Sequence, residues 1–384
     1  MTLDDVIIMI INITNTTRPE IARAWGKEKG EGFQMGDRMS RAVWLGVTAL
    51  ALAGLAGIRD LRALENEPEY RTGVTEGLPV GAALPPGWYF GATSTYYTGK
   101  KQNGDGNDNP LGVSINKAVT TLRGAWVPGV ELLGGVYSFY IVQPLATVSV
   151  NVNGGTAVIP VPPPIGPIQV PIPGSKNYGS GLGDTGVFPV NISWAPAEHW
   201  HVTGSLGFYA PTGAYTPTSE NINAVNIGNG YWTFEPSVAV TYLTPEGHLS
   251  ANFVYDKAFE NNHLSTIQVT GGGTLTGHYQ SGDMLMVDFS AVKFIDKWSV
   301  GASGYYAVQL TDDTLDGMAV PAMSIPGLGN TRGQGNRYEK LSLGPYVGYD
   351  FGALKLSAYY NHDFYAYNAL KAESFWLRAS FRLP

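Results

Sequence analysis

The chain has 384 residues, with 24 Lys+Arg against 31 Asp+Glu, 14% charged, 12% aromatic, 49 Gly, 25 Pro and no Cys. An average soluble domain carries about 25% charged residues and about 7% Gly, so an ordinary cytosolic enzyme is a poor fit. The net charge of −7 argues against a nucleic-acid partner, which calls for a basic patch, and the lack of cysteine removes disulfide scaffolds, thiolate zinc sites and cysteine nucleophiles.

Residues 1–34 are mixed in charge and read as an over-extended start. Arg38 and Arg41 then precede the apolar run 42–58, and Leu61-Arg62-Ala63 can serve as a cleavage site. That is the layout of a secretory signal peptide over 35–63, with Leu64 as the mature start. The run 42–58 alone approaches the ~20 residues of a spanning helix, which excludes a polytopic helical membrane protein. Residues 64–86, rich in Gly and Pro and without strand alternation, are expected to stay periplasmic or to fold into a lumen as a constriction.

From residue 87 onward, apolar and polar residues alternate with period two between turn residues. The alternation predicts an all-β chain of twelve strands: 87–97, 113–127, 134–152, 182–194, 200–210, 231–242, 248–257, 277–294, 298–310, 338–351, 354–362 and 373–383. Long and short connections alternate along the chain, with a last one of medium length. A sandwich has no reason to sort its loops this way, whereas a transmembrane barrel has tight periplasmic turns on one rim and longer loops on the other. The fold expected is therefore a twelve-stranded antiparallel transmembrane β-barrel spanning 87–384, in the outer membrane of a Gram-negative bacterium. Trp88, Trp126, Trp194, Trp200 and Trp298 fall at short-turn ends and Trp232 and Trp376 at the opposite ends, as interfacial girdles require.

Side-chain parity sorts the faces. On 298–310, Trp298, Val300, Ala302, Tyr306, Val308 and Leu310 share a face suited to lipid, and Ser299, Gly301, Ser303, Tyr305 and Gln309 share the other. The same parity turns Arg123, Glu235, Asp256, Asp288, Lys355, Arg378 and Arg382 inward with Asn252, Ser342 and Tyr346, and Leu249, Phe253, Leu343, Leu377 and Phe381 outward. A charge facing lipid costs about 2–4 kcal/mol near the midplane. Arg123, Glu235, Asp256, Asp288, Tyr305, Gln309, Tyr346, Lys355 and Arg378 are thus candidates for a substrate path. Their mixed signs argue against a strongly ion-selective pore, and internal salt bridges that brace the lumen are the blander reading. Twelve strands leave a narrow lumen and a small substrate.

In 134–152 the bulky apolar positions pass from odd (Tyr137, Phe139, Ile141) to even (Val148, Val150, Val152). This predicts a β-bulge or kink at Pro144, with Pro189 on the neighbouring strand, and so a weak seam open to lateral exit. The proline-rich loop 158–173 presents Ile165 and Ile168, which either cap the mouth or capture hydrophobic ligands.

Residues 103–109 resemble the start of a calcium loop, but Pro110 stiffens the segment and no bidentate glutamate follows, so a solvated tip is expected, with no metal and no cofactor. His263 and Ser265, beside Asn261 and Asn262, form a close His–Ser pair. They keep a rival alive: a lipid hydrolase on a twelve-stranded barrel. A structural or adhesive barrel is a third reading.

The stretches "LLGGVYSFYIVQPL" (132–145), "GDTGVFPVNISW" (183–194), "GYYAVQLTDD" (304–313) and "LSLGPYVGYDF" (341–351), with "ALENEPEYRTG" after the leader, resemble the MetA-pathway of phenol degradation-like outer-membrane channels. The resemblance implies a monomeric, non-enzymatic twelve-stranded channel in outer-membrane lipid that passively admits small hydrophobic molecules, especially monoaromatics from aromatic-compound degradation. One departure is the C-terminus, where Phe381 is followed by Arg-Leu-Pro.

Overall fold

The computed structural model describes residues 68–159, 168–217, 220, 224–269, 273–320, 324–325, 329–330 and 337–383. The expected start 1–34, the leader 35–63 and the first residues of the segment 64–86 lie outside the described residues.

Twelve antiparallel strands form the wall: β1 Gly87–Lys101, β2 Val113–Val127, β3 Gly135–Val152, β4 Thr185–Ala197, β5 Trp200–Ala210, β6 Thr233–Thr244, β7 Gly247–Ala258, β8 Met284–Ile295, β9 Trp298–Gln309, β10 Glu339–Asp350, β11 Leu354–Tyr367 and β12 Leu370–Leu383. Each pairs with its sequence neighbours, and β1 pairs with β12 from Trp88↔Leu383 to Lys101↔Leu370, which closes the sheet. Closure matters because lipid offers no hydrogen bonds to an open edge. Short turns such as 198–199, 245–246 and 296–297 gather at the rim that holds Gly87 and Leu383, the periplasmic end. The longer connections, with hairpins such as Leu264–Val269 against Gly273–Gln280, gather at the other.

The outer face is the apolar one. Phe253, Leu249, Leu343, Leu377 and Phe381 are all exposed, whereas Asn252, Glu235, Asp256, Asp288, Ser342 and Arg378 are buried inside. Trp88 and Trp126 stack at the periplasmic rim with ring centres 5.6 Å apart. Trp376 departs from the girdle pattern. It faces the lumen at 0% exposure and stacks on Tyr359, because its register partner is Thr95, well inside β1.

Three further elements differ from the sequence reading. The stretch 277–294 is two elements, since Gly282 and Asp283 turn away to donate to Asp313 and to Thr311, leaving Gly273–Gln280 in an outer hairpin. The last outer connection is only 368–369, because β11 and β12 continue beyond the lipid with polar residues such as Asp363 facing inward.

The exchange of faces expected in β3 does not occur. Its pairing with β2 runs without a shift from Val113↔Val152 to Trp126↔Phe139, and Ser138, Tyr140, Val142, Pro144, Ala146 and Val148 all line the interior. The valines turn inward near the outer end because the outside there is water. The extra residue sits in β4 instead: Val187 to Val190 spans the same ladder as Phe208 to Leu206 on β5, which places the bulge at Pro189. The Tyr137 hydroxyl donates to the Pro189 carbonyl at 2.7 Å. Pro144 meets a second interruption, where Gly183 and Asp184 separate Ser175–Leu182 from β4.

Two measurements check this arrangement. Leu377→Arg puts a charge in mid-wall lipid and should lower stability by about 2–4 kcal/mol in denaturant unfolding from vesicles; an unchanged midpoint would put that face in the lumen. In the outer loops, Asp313 accepts from the Tyr279 hydroxyl, Gly282 N and Gln309 Nε2, and burial pushes its carboxyl up to about 6. The docked loop therefore holds a proton that the opened loop releases. Docking should be strongest below about pH 4 and weaken by on the order of 2–3 kcal/mol as pH rises through 6. A spin label at exposed Met318 should be more mobile at pH 7.5 than at pH 5, and Asp313→Asn should remove the difference.

Candidate functional site

Residues 68–86 occupy the lumen. Tyr70 packs at the outer end with Met284, Tyr338 and Ala369, while Tyr89 and Arg382 hold the Pro85 and Pro86 carbonyls at the periplasmic rim. The segment thus descends the whole interior before β1 begins. No strand or helix organises it; turns do. Gly73 and Gly77 adopt φ of +92° and +72°, and a Cβ on Gly77 would collide with the Tyr346 ring.

The wall of β7 to β12 fastens this plug. Asp288 accepts from the Tyr70 hydroxyl at 2.6 Å, Gly73 N at 2.7 Å, Thr75 N at 3.0 Å and Thr75 Oγ1 at 2.7 Å. Asp256 accepts from Tyr70 N, and Glu76 accepts from Ser303 Oγ and Asn361 Nδ2. Arg378 donates to the Glu76 and Val74 carbonyls and to the Tyr359 hydroxyl, which itself donates to the Gly73 carbonyl. Charge-assisted hydrogen bonds are about twice as strong as neutral ones, so this half of the barrel grips the plug. Nearer the periplasm, Gly81 bridges Thr241 and Thr203.

The opposite wall leaves room. A cavity of about 520 Å³ lies between the plug and mainly β1 to β6, with lining from Leu84 and Val127 near the periplasmic rim to Val148 and Asn226 near the outer one. Its aromatic centre is Tyr140, stacked on Phe188 with centroids 4.2 Å apart, while Tyr209 meets Phe188 edge-on at 5.8 Å. The Arg123 guanidinium lies 4.2 Å from the Tyr140 ring centre.

The sequence-derived candidates separate accordingly. Arg123, Glu235 and Arg378 line the cavity, whereas Asp256 and Asp288 bind the plug. Tyr305 donates to Asp363, beside the Lys340–Asp363 ion pair of 2.8 Å. Gln309 lies at the outer end with Asp313, and Tyr346 packs under Gly77. Lys355 is solvent-exposed at the periplasmic rim and pairs with Asp350 at 3.0 Å. Ile165 lies outside the described residues; of Ile168 the structure describes the strand pairing with Ile159. Tyr140, Phe188, Tyr209 and Arg71 were absent from the candidates. Inward parity could have found the first, but residues 64–86 carry no alternation from which to place Arg71.

The alternative constellations are not assembled. Ser265 Oγ is buried without a hydrogen-bond partner, so no base is set against it, and His263 packs toward Tyr215. In the 103–109 tip, Asn103 Oδ1 accepts from Asp105 N and Asn107 N, and Asp108 pairs with Lys100.

The MetA-pathway of phenol degradation family matches residues 98–379. An outer membrane channel from Pseudomonas putida F1 superposes with a TM-score of 0.58 at 15% identity, covering 82% of this chain and 100% of its own. A FadL homologue of Pseudomonas aeruginosa reaches 0.40 at 12% identity, covering 85% and 97%. The monoaromatic hydrocarbon channel CymD reaches 0.36 at 10%, covering 78% and 89%. The first of these supports the fold, that of an outer-membrane barrel. No curated protein matches in sequence.

If the β7–β12 side holds the plug, Asp288→Ala should release it. The loss of the carboxylate leaves buried donors at Gly73 and Thr75 without an acceptor, at about 1–3 kcal/mol each, and should weaken docking accordingly. Single-channel conductance of the folded variant should rise above that of the wild type; equal conductance would mean that the other contacts suffice.

Proposed function

The chain belongs to the MetA-pathway of phenol degradation family, and on that footing we propose that it is an outer-membrane channel for passive uptake of small hydrophobic molecules, monoaromatics in particular. The observation that carries this reading is the asymmetric filling of the lumen: a plug fastened to one wall beside a cavity lined by stacked aromatic rings. Cavities of about 300–1,000 Å³ suit small ligands, and edge-on or stacked rings favour an aromatic guest.

The proposed path passes Arg123, Glu235 and Arg378, with Tyr305, Gln309, Tyr346, Asp256 and Asp288 shaping it from the plug side and Lys355 at the exit rim. Ile165 and Ile168 of the proline-rich loop are proposed as the capture site. A lateral exit into lipid is a second route, supported by the bulge at Pro189 and the ladder interruption beside Pro144. The protein is proposed to act as a monomer and without chemistry of its own.

The test is uptake of a panel of labelled monoaromatics at limiting concentration by cells with and without the gene. Loss of uptake on deletion, restored by the wild-type chain, is expected. Equal uptake in both strains would overturn the proposal.

A further inference from the structure

Among the described residues, two guanidinium groups of the lumen, Arg71 and Arg123, form no ion pair with a carboxylate and, unlike Arg378, are not bound to several plug carbonyls. Arg71, on the plug, donates through Nη2 to the Thr93 carbonyl at 2.9 Å, while its Nε and Nη1 are buried without partners. Its carbon Cζ lies 5.2 Å from the Trp376 ring centre. Arg123, on β2, lies over Tyr140, and its Nε is likewise buried without a partner. The two approach the same stretch of β1: Thr93 receives Arg71, and Gly91, two residues away, is the register partner of Arg123. Both side chains line the cavity.

The other ionisable groups of the cavity are engaged. Lys340 pairs with Asp363, and Arg378 is bound to plug carbonyls. Asp184 accepts from Gly213 N and Asn229 N. Glu69 lies beside Asp184, and Glu235 beside Asp256. Lys117 also lines the cavity.

Buried donors without acceptors are rare in folded proteins, and each calls for a reason. A neutral hydrocarbon in the cavity would leave these guanidinium donors as unmet as an empty cavity does. A carboxylate would satisfy them, because the planar guanidinium fork matches its two oxygens. The rings of Tyr140, Phe188 and Tyr209 lie alongside Arg123, where the aromatic end of the same molecule would stack. We propose that the cavity selects monoaromatic carboxylates, with Arg71 and Arg123 receiving the acid group and the Tyr140–Phe188–Tyr209 cluster receiving the ring. This assignment rests on the channel reading and narrows its substrate class.

The experiment measures flux of benzoate and of its neutral counterpart benzamide into vesicles containing the purified full chain, for the wild type, Arg123→Gln, Arg123→Lys and Arg71→Gln, each checked for folding by heat-modifiable gel migration. The wild type should pass benzoate faster than benzamide. Arg123→Gln should lower benzoate flux by about tenfold, the worth of one charge-assisted hydrogen bond, lower benzamide flux far less, and be partly rescued in Arg123→Lys; Arg71→Gln should act in the same direction. Passage of benzamide in preference to benzoate, or an equal loss of both in Arg123→Gln, would overturn the acid assignment while leaving the channel standing. Should Arg123→Gln fail to fold, Arg71→Gln, which changes no wall residue, decides by the same comparison. Passage of neither probe by the folded wild type would overturn the channel reading itself.

Discussion

The Asp288 carboxylate, buried and without a cationic partner among the described residues, takes four hydrogen bonds from Tyr70, Gly73 and Thr75, and much of the interior follows from that contact. An anion inside a barrel must be satisfied or neutralised. Here the satisfaction comes from the plug, so the plug is drawn against β8 and its neighbours. The remaining space then falls on the opposite side, against β1 to β6. A barrel of twelve strands is too wide for wall side chains alone to fill; the segment before β1 fills one half, and the cavity is what is left.

Much of the wall was legible in the sequence because two simple physical rules act along it. Period-two alternation places Phe253 and Leu377 in lipid and Asn252 and Arg378 inside, and loop length assigns each strand end to a rim. Both rules act residue by residue and need no knowledge of distant partners. They misread the chain where the outer solvent changes. In β3, Val148 and Val150 are apolar yet inward, because above the lipid the exterior faces water and the lumen side becomes the drier one. Parity read as if lipid surrounded the entire strand therefore suggested a bulge at Pro144, while the actual extra residue accompanies Pro189 on the next strand. The same change of solvent hid the outer ends of β11 and β12, whose polar residues read as a loop.

The interior was less legible, for a different reason. Residues 68–86 adopt no repeating structure, and their positions are set by single contacts over sequence separations such as 218 residues between Tyr70 and Asp288. Composition could suggest that such a segment enters the lumen, but it could not say which side it would favour. Arg71 is intelligible only once the plug is in place, when its guanidinium lies on the cavity side and its charge is left without a carboxylate. The aromatic cluster needed the register of β3, β4 and β5 across the Pro189 bulge, because that bulge brings Phe188 inward beside Tyr140 and Tyr209.

The central claim is that molecules pass beside a fixed plug and not through the space it would vacate. The chain lacks cysteine, so a single engineered pair can test this. Thr75 Oγ1 and Asn252 Nδ2 lie 3.4 Å apart, and Thr75→Cys with Asn252→Cys would tether the plug to β7 on oxidation. Flux of a small aromatic through the doubly substituted protein in vesicles should be the same oxidised and reduced. Flux that stops on oxidation and returns with reductant would show that the plug must leave, and would contradict the account.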